Sequence, residues 1–183
     1  MLICAVLLPV FLLGTVRALF APSGCETAED AFWHVAAGRR PFGDMIARKF
    51  PLTLSVWRDH YADKELLFHV LLKGYDGIKT LSGSPVEPPF TGASCAFMLL
   101  FFLMFAVAAH SLGIAPPKIL MASLLCALLI PNFTYRLLML RPHVFSMALM
   151  MGAVALLARG PHRRCVWTCL LYTSPSPRDR TRS

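Results

Sequence analysis

The sequence predicts an all-α membrane protein: about four transmembrane helices, with a long external loop after the first span that holds two short amphipathic helices. Three observations carry this prediction. Apolar residues make up 56% of the chain and charged residues only 15%, against about a quarter charged in an ordinary soluble domain. Nine of the ten acids lie between Glu26 and Glu87, so a single polar segment interrupts an otherwise acid-free chain, the tenth being Asp179. Residues 94–114, "SCAFMLLFFLMFAVAAHSLGI", carry no Asp, Glu, Lys or Arg, and as a helix they would rise about 30 Å, the thickness of the bilayer hydrocarbon.

The elements follow in chain order. Residues 1–20 hold an apolar run broken only by Pro9 and Arg17. It reads as a first transmembrane helix rather than a signal peptide, because a basic leading region and a small-x-small cleavage site are both missing. Residues 21–93 form the external polar loop, nearly neutral with eight Lys/Arg against nine acids. Within it Thr27 can cap a helix over "AEDAFWHVAAG", with Asp30 three residues on and Gly38 at its end. "DKELLFHVLLKGY" sets Leu66, Leu67, Val70 and Leu71 on one stripe, which predicts a second helix lying at an interface or against other helices. "LSGSPVEPPFTG" is a turn-rich connector.

Residues 94–168 form a three-helix transmembrane segment. After the 94–114 span, "APPK" turns the chain, and Pro116 and Pro117 suit a helix start. "ILMASLLCALLIP" is short for a span unless it continues, kinked, to Arg136. "NFTYRLLMLRPH" and "VFSMALMMGAVALLA" follow, both marginal in length and dependent on tilt, partner helices or snorkelling arginines. With the N-terminus inside, Lys118, Arg159, Arg163 and Arg164 fall inside while Arg136 and Arg141 fall outside. That matches the positive-inside bias and turns the acidic loop outward. The expected location is the cell membrane, the inner one in a bacterium. The net charge of +8 calls for no nucleic-acid partner, because Lys and Arg are scattered without a basic run.

Residues 169–183 read as a non-native tail. "CLLYTSPSPRD" resembles the translation of a transposase-type sequencing adapter, and the competing reading is a Ser/Pro-rich polar tail. On the adapter reading the chain is an N-terminal fragment, expected to be inactive alone.

The chemistry gathers near residue 30. A carboxylate beside a membrane helix, such as Glu29 or Asp30, can hold a divalent cation against a phosphate or act as a general base. On spacing alone the competing reading is a helix N-terminus, where acids stabilise by about 0.3–1 kcal/mol through the macrodipole. Asp30, Trp33 and His34 are three and four residues apart and would share a helix face. His34, His60 and His69 show no recognised zinc-ligand spacing, so no metal site is predicted. Arg136 and Arg141 could grip the phosphate of a lipid-linked substrate, or simply snorkel at a helix end. No phosphate-binding glycine loop, nucleophile elbow or Cys/His nucleophile pattern is present.

"EDAFWHVAAGR" resembles the D-x-x-W-H-[LIV]-x-x-G-[RK] signature of bacterial polytopic membrane proteins in the GT-C glycosyltransferase class. "KELLFHVLL" resembles the later Glu-containing helix of the same external loop, and "RPHVFSMALMMGAVALLAR" a helix several spans on. The usual Trp of the second anchor is replaced here, in Lys64-Glu65-Leu66-Leu67. The resemblance implies an enzyme that moves a sugar from a polyprenyl-phosphate donor in the membrane to an acceptor outside it. It implies Asp30 as base or metal-linked group with Glu29 beside it. On the glycosyltransferase reading Trp33 and His34 shape the rim, and Arg136 and Arg141 face the donor phosphate. No cofactor is required by the pattern, though a divalent cation is compatible with it. The alternative is a non-enzymatic multi-pass protein, a transporter or assembly partner, whose loop is a docking platform.

Overall fold

The computed structural model describes residues 1–20, 30–46, 63, 65–83 and 90–159. Glu29, Thr27, His60, most of the connector after Gly83 and the tail from 169 onward lie outside the described residues. Among those described, all regular structure is helical. The helices are α1 (Leu2–Phe20), α2 (Asp30–Arg39), α3 (Phe42–Ile46), α4 (Leu66–Leu81), α5 (Thr91–Ser111), α6 (Pro116–Leu128), α7 (Pro131–Leu138) and α8 (Pro142–Arg159). They fall into two compact units, one made of residues 29–87 and the other of the chain on either side.

In the larger unit, α1, α5 and α8 are each long and apolar enough to cross a membrane. The pair α6 and α7 would make a fourth span, but it is bent by 86°. Proline explains the segmentation. α6, α7 and α8 each begin on one, Pro116, Pro131 and Pro142, where the missing N–H has no intrahelical partner to lose. Pro131 also forces Ile130 before it into an extended conformation (φ −111°, ψ 91°), so α6 cannot run on into α7. The bend frees carbonyls in the last turn of α6, and the Thr134 hydroxyl answers that of Ala127 at 2.7 Å, while the Ile130 carbonyl already accepts from the Phe133 and Thr134 N–H groups of α7.

α5 begins and ends three residues earlier than the 94–114 run suggests. Its end is set by Gly113, whose φ of +80° only glycine adopts freely. Gly113 N–H then bonds the His110 carbonyl and Ile114 N–H the Ala109 carbonyl, a closure that satisfies the last turn. α5 packs along α8, and α1 lies against α5 and α6. The α5–α8 seam joins Phe97 to Phe145 edge-on at 6.1 Å, and both helices bury small residues, Ala106 and Ala109 on α5 and Ala148, Ala153 and Ala155 on α8. Lipid tails give apolar side chains no reason to leave them, so bundles of this kind are held by such close packing. Outward, Ile3, Leu7, Phe11, Leu103 and Leu157 are exposed, apolar positions on helices long and apolar enough to cross a membrane.

Arg17, read from the sequence as a break in the apolar run, is fully buried. Its Nη1 donates to the carbonyl of Leu138, the last residue of α7, where the helix dipole is negative.

Candidate functional site

The smaller unit is built on the packing of α2 against α4. Gly38 makes that contact possible: a Cβ there would stand 3.2 Å from the His69 carbonyl oxygen and 3.6 Å from Leu72 Cβ. Gly38 therefore serves close approach, and α2 runs on through Arg39 instead of ending at the glycine. The stripe expected on the second loop helix also shifts. The buried face of α4 is Phe68, His69 and Leu72, while Leu67 and Leu71 are exposed. Leucines occur all round this helix, so the face is chosen by what α2 presents, namely His34 and Gly38.

The side chains that meet at the α2–α4 contact are polar. Asp63 organises them. Its Oδ1 accepts the Glu65 N–H at 3.0 Å, turning the chain into α4 as an Asx turn. Its Oδ2 lies 2.7 Å from His69 Nδ1 and accepts from Arg40 Nη2 at 2.9 Å. Both side chains of the Asp63–Arg40 pair are almost wholly removed from solvent. Burial pushes the Asp63 pKa up, but the hydrogen bond and charge of His69, the Glu65 N–H and the Arg40 charge together outweigh it. The net is below the ordinary 3.8, so Asp63 is a carboxylate at neutral pH.

Arg40 in turn closes α2. Its Nε donates to the Ala37 carbonyl at 3.0 Å, and Lys73 Nζ donates to the Arg40 carbonyl at 2.8 Å, placing cations where helix carbonyls accumulate. On the surface, Arg39 makes a two-pronged pair with Asp76 at 3.0 and 3.1 Å.

Because Asp63 takes the Nδ1–H of His69, the neutral form of that ring carries its lone pair on Nε2. It faces His34 Nδ1 at 3.0 Å, and His34 Nδ1 is 3.6 Å from Glu65 Oε2. One ligand atom from each of His34, Glu65 and His69 thus lies within 4.8 Å of the other two. Trp33 stands edge-on to both imidazoles, with ring centroids 5.0 Å from His34 and 5.3 Å from His69. Phe68 meets His34 from another side at 5.3 Å. The result is a small buried constellation of two imidazoles and a carboxylate, rimmed by aromatic rings and braced by an Asp–Arg pair.

Of the residues singled out by sequence, Trp33 and His34 belong to this constellation. Asp30 is the first residue of α2 and is exposed. Glu29 lies outside the described residues. Arg136 and Arg141 belong to the larger unit, on either side of the Leu137–Leu140 stretch. Arg136 is exposed and accepts His143 Nε2 on its carbonyl at 3.2 Å, and Arg141 is half-buried. Sequence reasoning missed Asp63, Arg40 and the pairing of Glu65 with His69. The last left a signal, since residues four apart share a helix face. No protein-family model matches this chain, and neither the curated proteins nor the solved structures contain a match to it.

Proposed function

We propose that these residues belong to a multi-pass membrane glycosyltransferase that draws its sugar from a polyprenyl-phosphate donor, with the polar segment on the outer face. One observation supports this above the rest. The first two anchors of the GT-C resemblance, "EDAFWHVAAGR" and "KELLFHVLL", are separated in the chain yet fold onto one another, Trp33 and His34 of one meeting Glu65 and His69 of the other.

On this reading Asp30, exposed at the start of α2, takes the proton of an acceptor hydroxyl as its oxygen attacks the anomeric carbon. The bond from that carbon to the phosphate oxygen breaks, and the polyprenyl phosphate leaves with the electron pair. Glu29 supplements the negative charge beside Asp30. Arg136 and Arg141 offset charge on the departing phosphate, a task suited to guanidinium forks. Trp33, more than a third exposed, offers an aromatic face at the rim.

The test is sugar transfer by the full-length protein in right-side-out vesicles, with an acceptor that cannot cross the membrane. Asp30→Asn is expected to lower the rate by about 10²–10⁴-fold, the usual worth of general base catalysis. A near-wild-type rate would remove Asp30 from the chemistry.

A second reading, a transporter, is favoured by the 86° break between α6 and α7, because broken helices line substrate paths in many transporters. Solute uptake by the same vesicles without sugar transfer would decide for it.

A further inference from the structure

We infer that His34, Glu65 and His69 bind a divalent transition-metal ion of the zinc class. This goes beyond the glycosyltransferase reading and does not depend on it, since it rests on three side chains of the smaller unit and not on Asp30.

The donor set is the first argument. Metal–ligand bonds of about 2.0–2.2 Å in a tetrahedral site place ligand atoms about 3.4 Å apart. The His34–His69 and His34–Glu65 separations of 3.0 and 3.6 Å bracket that value. Two imidazoles with one carboxylate suit zinc and its neighbours in the first transition row, and suit magnesium or calcium poorly, because those ions favour all-oxygen cages. Three protein ligands leave a fourth position for water or a substrate oxygen, the arrangement of an open site rather than a closed structural one.

The surroundings are the second and independent argument. A ligating imidazole is normally held by a carboxylate on its other nitrogen, which fixes the tautomer and raises its basicity. His69 has that partner in Asp63 at 2.7 Å, and Asp63 is itself anchored by Arg40 and the Glu65 N–H. The Nε2 lone pair is therefore directed at His34 before any ion arrives. Trp33 and Phe68 pack around the imidazoles, which lowers the local dielectric and strengthens a cation's hold. The competing occupant of the same space is one proton shared between the two imidazoles.

Metal and proton are separated by cobalt spectroscopy on the full chain in detergent, after chelator stripping. The expected result is one Co²⁺ per chain, with visible d–d bands of a low-symmetry nitrogen/oxygen site, no thiolate-to-metal charge-transfer band, and displacement by Zn²⁺. His34→Gln and Glu65→Gln should each weaken uptake more than tenfold, and Asp63→Asn by about 10–100-fold, while His143→Gln in the larger unit leaves it unchanged. Failure of the wild-type chain to take up micromolar Co²⁺, or a thiolate spectrum pointing to cysteines, would overturn the inference without any variant. Unchanged uptake by His34→Gln would overturn it as well. Because the readout is metal uptake, a negative result here leaves the sugar-transfer assay free to succeed, and the reverse.

Discussion

Arg40 and Arg17 are both buried, at 4% and 0% exposure, and they show how differently the two units accommodate a cation. Arg40 meets the carboxylate of Asp63 and the carbonyl end of its own helix. Arg17 belongs to the larger unit, whose described residues, 1–20 and 90–159, include no Asp or Glu, and it donates to the carbonyl at the end of α7. The smaller unit is thus tied together by charges that need each other, and the larger one by packed apolar faces with a cation resting on a helix end. A charge pair fails abruptly when one member is lost, whereas a cation on a carbonyl leaves behind only a neutral acceptor.

The largest effect expected from this contrast is that of Asp63→Ala. Removing one member of a buried pair costs about 3–5 kcal/mol, and here it also removes the turn into α4. Hydrogen exchange should show lost protection in α2 and α4 while α5 and α8 keep theirs. Uniform loss across both units would break the comparison.

Acid should produce a milder form of the same failure. The folded pKa of Asp63 lies below its ordinary value of 3.8. Its contribution is therefore complete above that value and is lost as the pH falls through the lower folded one. Circular dichroism followed from pH 6 downward should show the α2–α4 unit loosening in that acid range, and Asp63→Asn should flatten the dependence.

Arg17→Met sharpens the other side. One buried carbonyl loses its donor, at a cost of about 1–3 kcal/mol, and the melting of the larger unit should fall by less than Asp63→Ala lowers the smaller. Smallest of all is Arg39→Ala. Its pair with Asp76 is half in solvent on the arginine side, and exposed pairs contribute about 0–1 kcal/mol, so thermal unfolding should barely move.

How much was legible in the sequence differs between the units for the same reason. The spans were readable because bilayer thickness writes itself into apolar length, and α5 differs from its apolar run by three residues at each end, the later end being set by the left-handed turn at Gly113. The break at Pro131 was readable in kind, as a kink, though a bend of 86° depends on packing. At the site, Trp33 and His34 stood out as unusual residues in an apolar chain. Their pairing did not, because Glu65 and His69 reach them, and Asp63 reaches Arg40, across a helix contact that no local period records. The leucine stripe misled for a related cause: α4 has leucines on more than one face, and the buried face is the one carrying His69, whose polarity the network satisfies.

The elbow between α6 and α7 has a consequence for how the bundle meets its solvent. Eight residues of α7 rise only about 12 Å, so residues 116–138 cannot cross hydrocarbon as a straight rod. Hydrocarbon offers no donors to the carbonyls released at such a corner, and the Thr134 hydroxyl reaches only that of Ala127. The corner must therefore be roofed by neighbouring protein or bathed in water, which makes it the natural point of entry for water into the greasy half of this molecule.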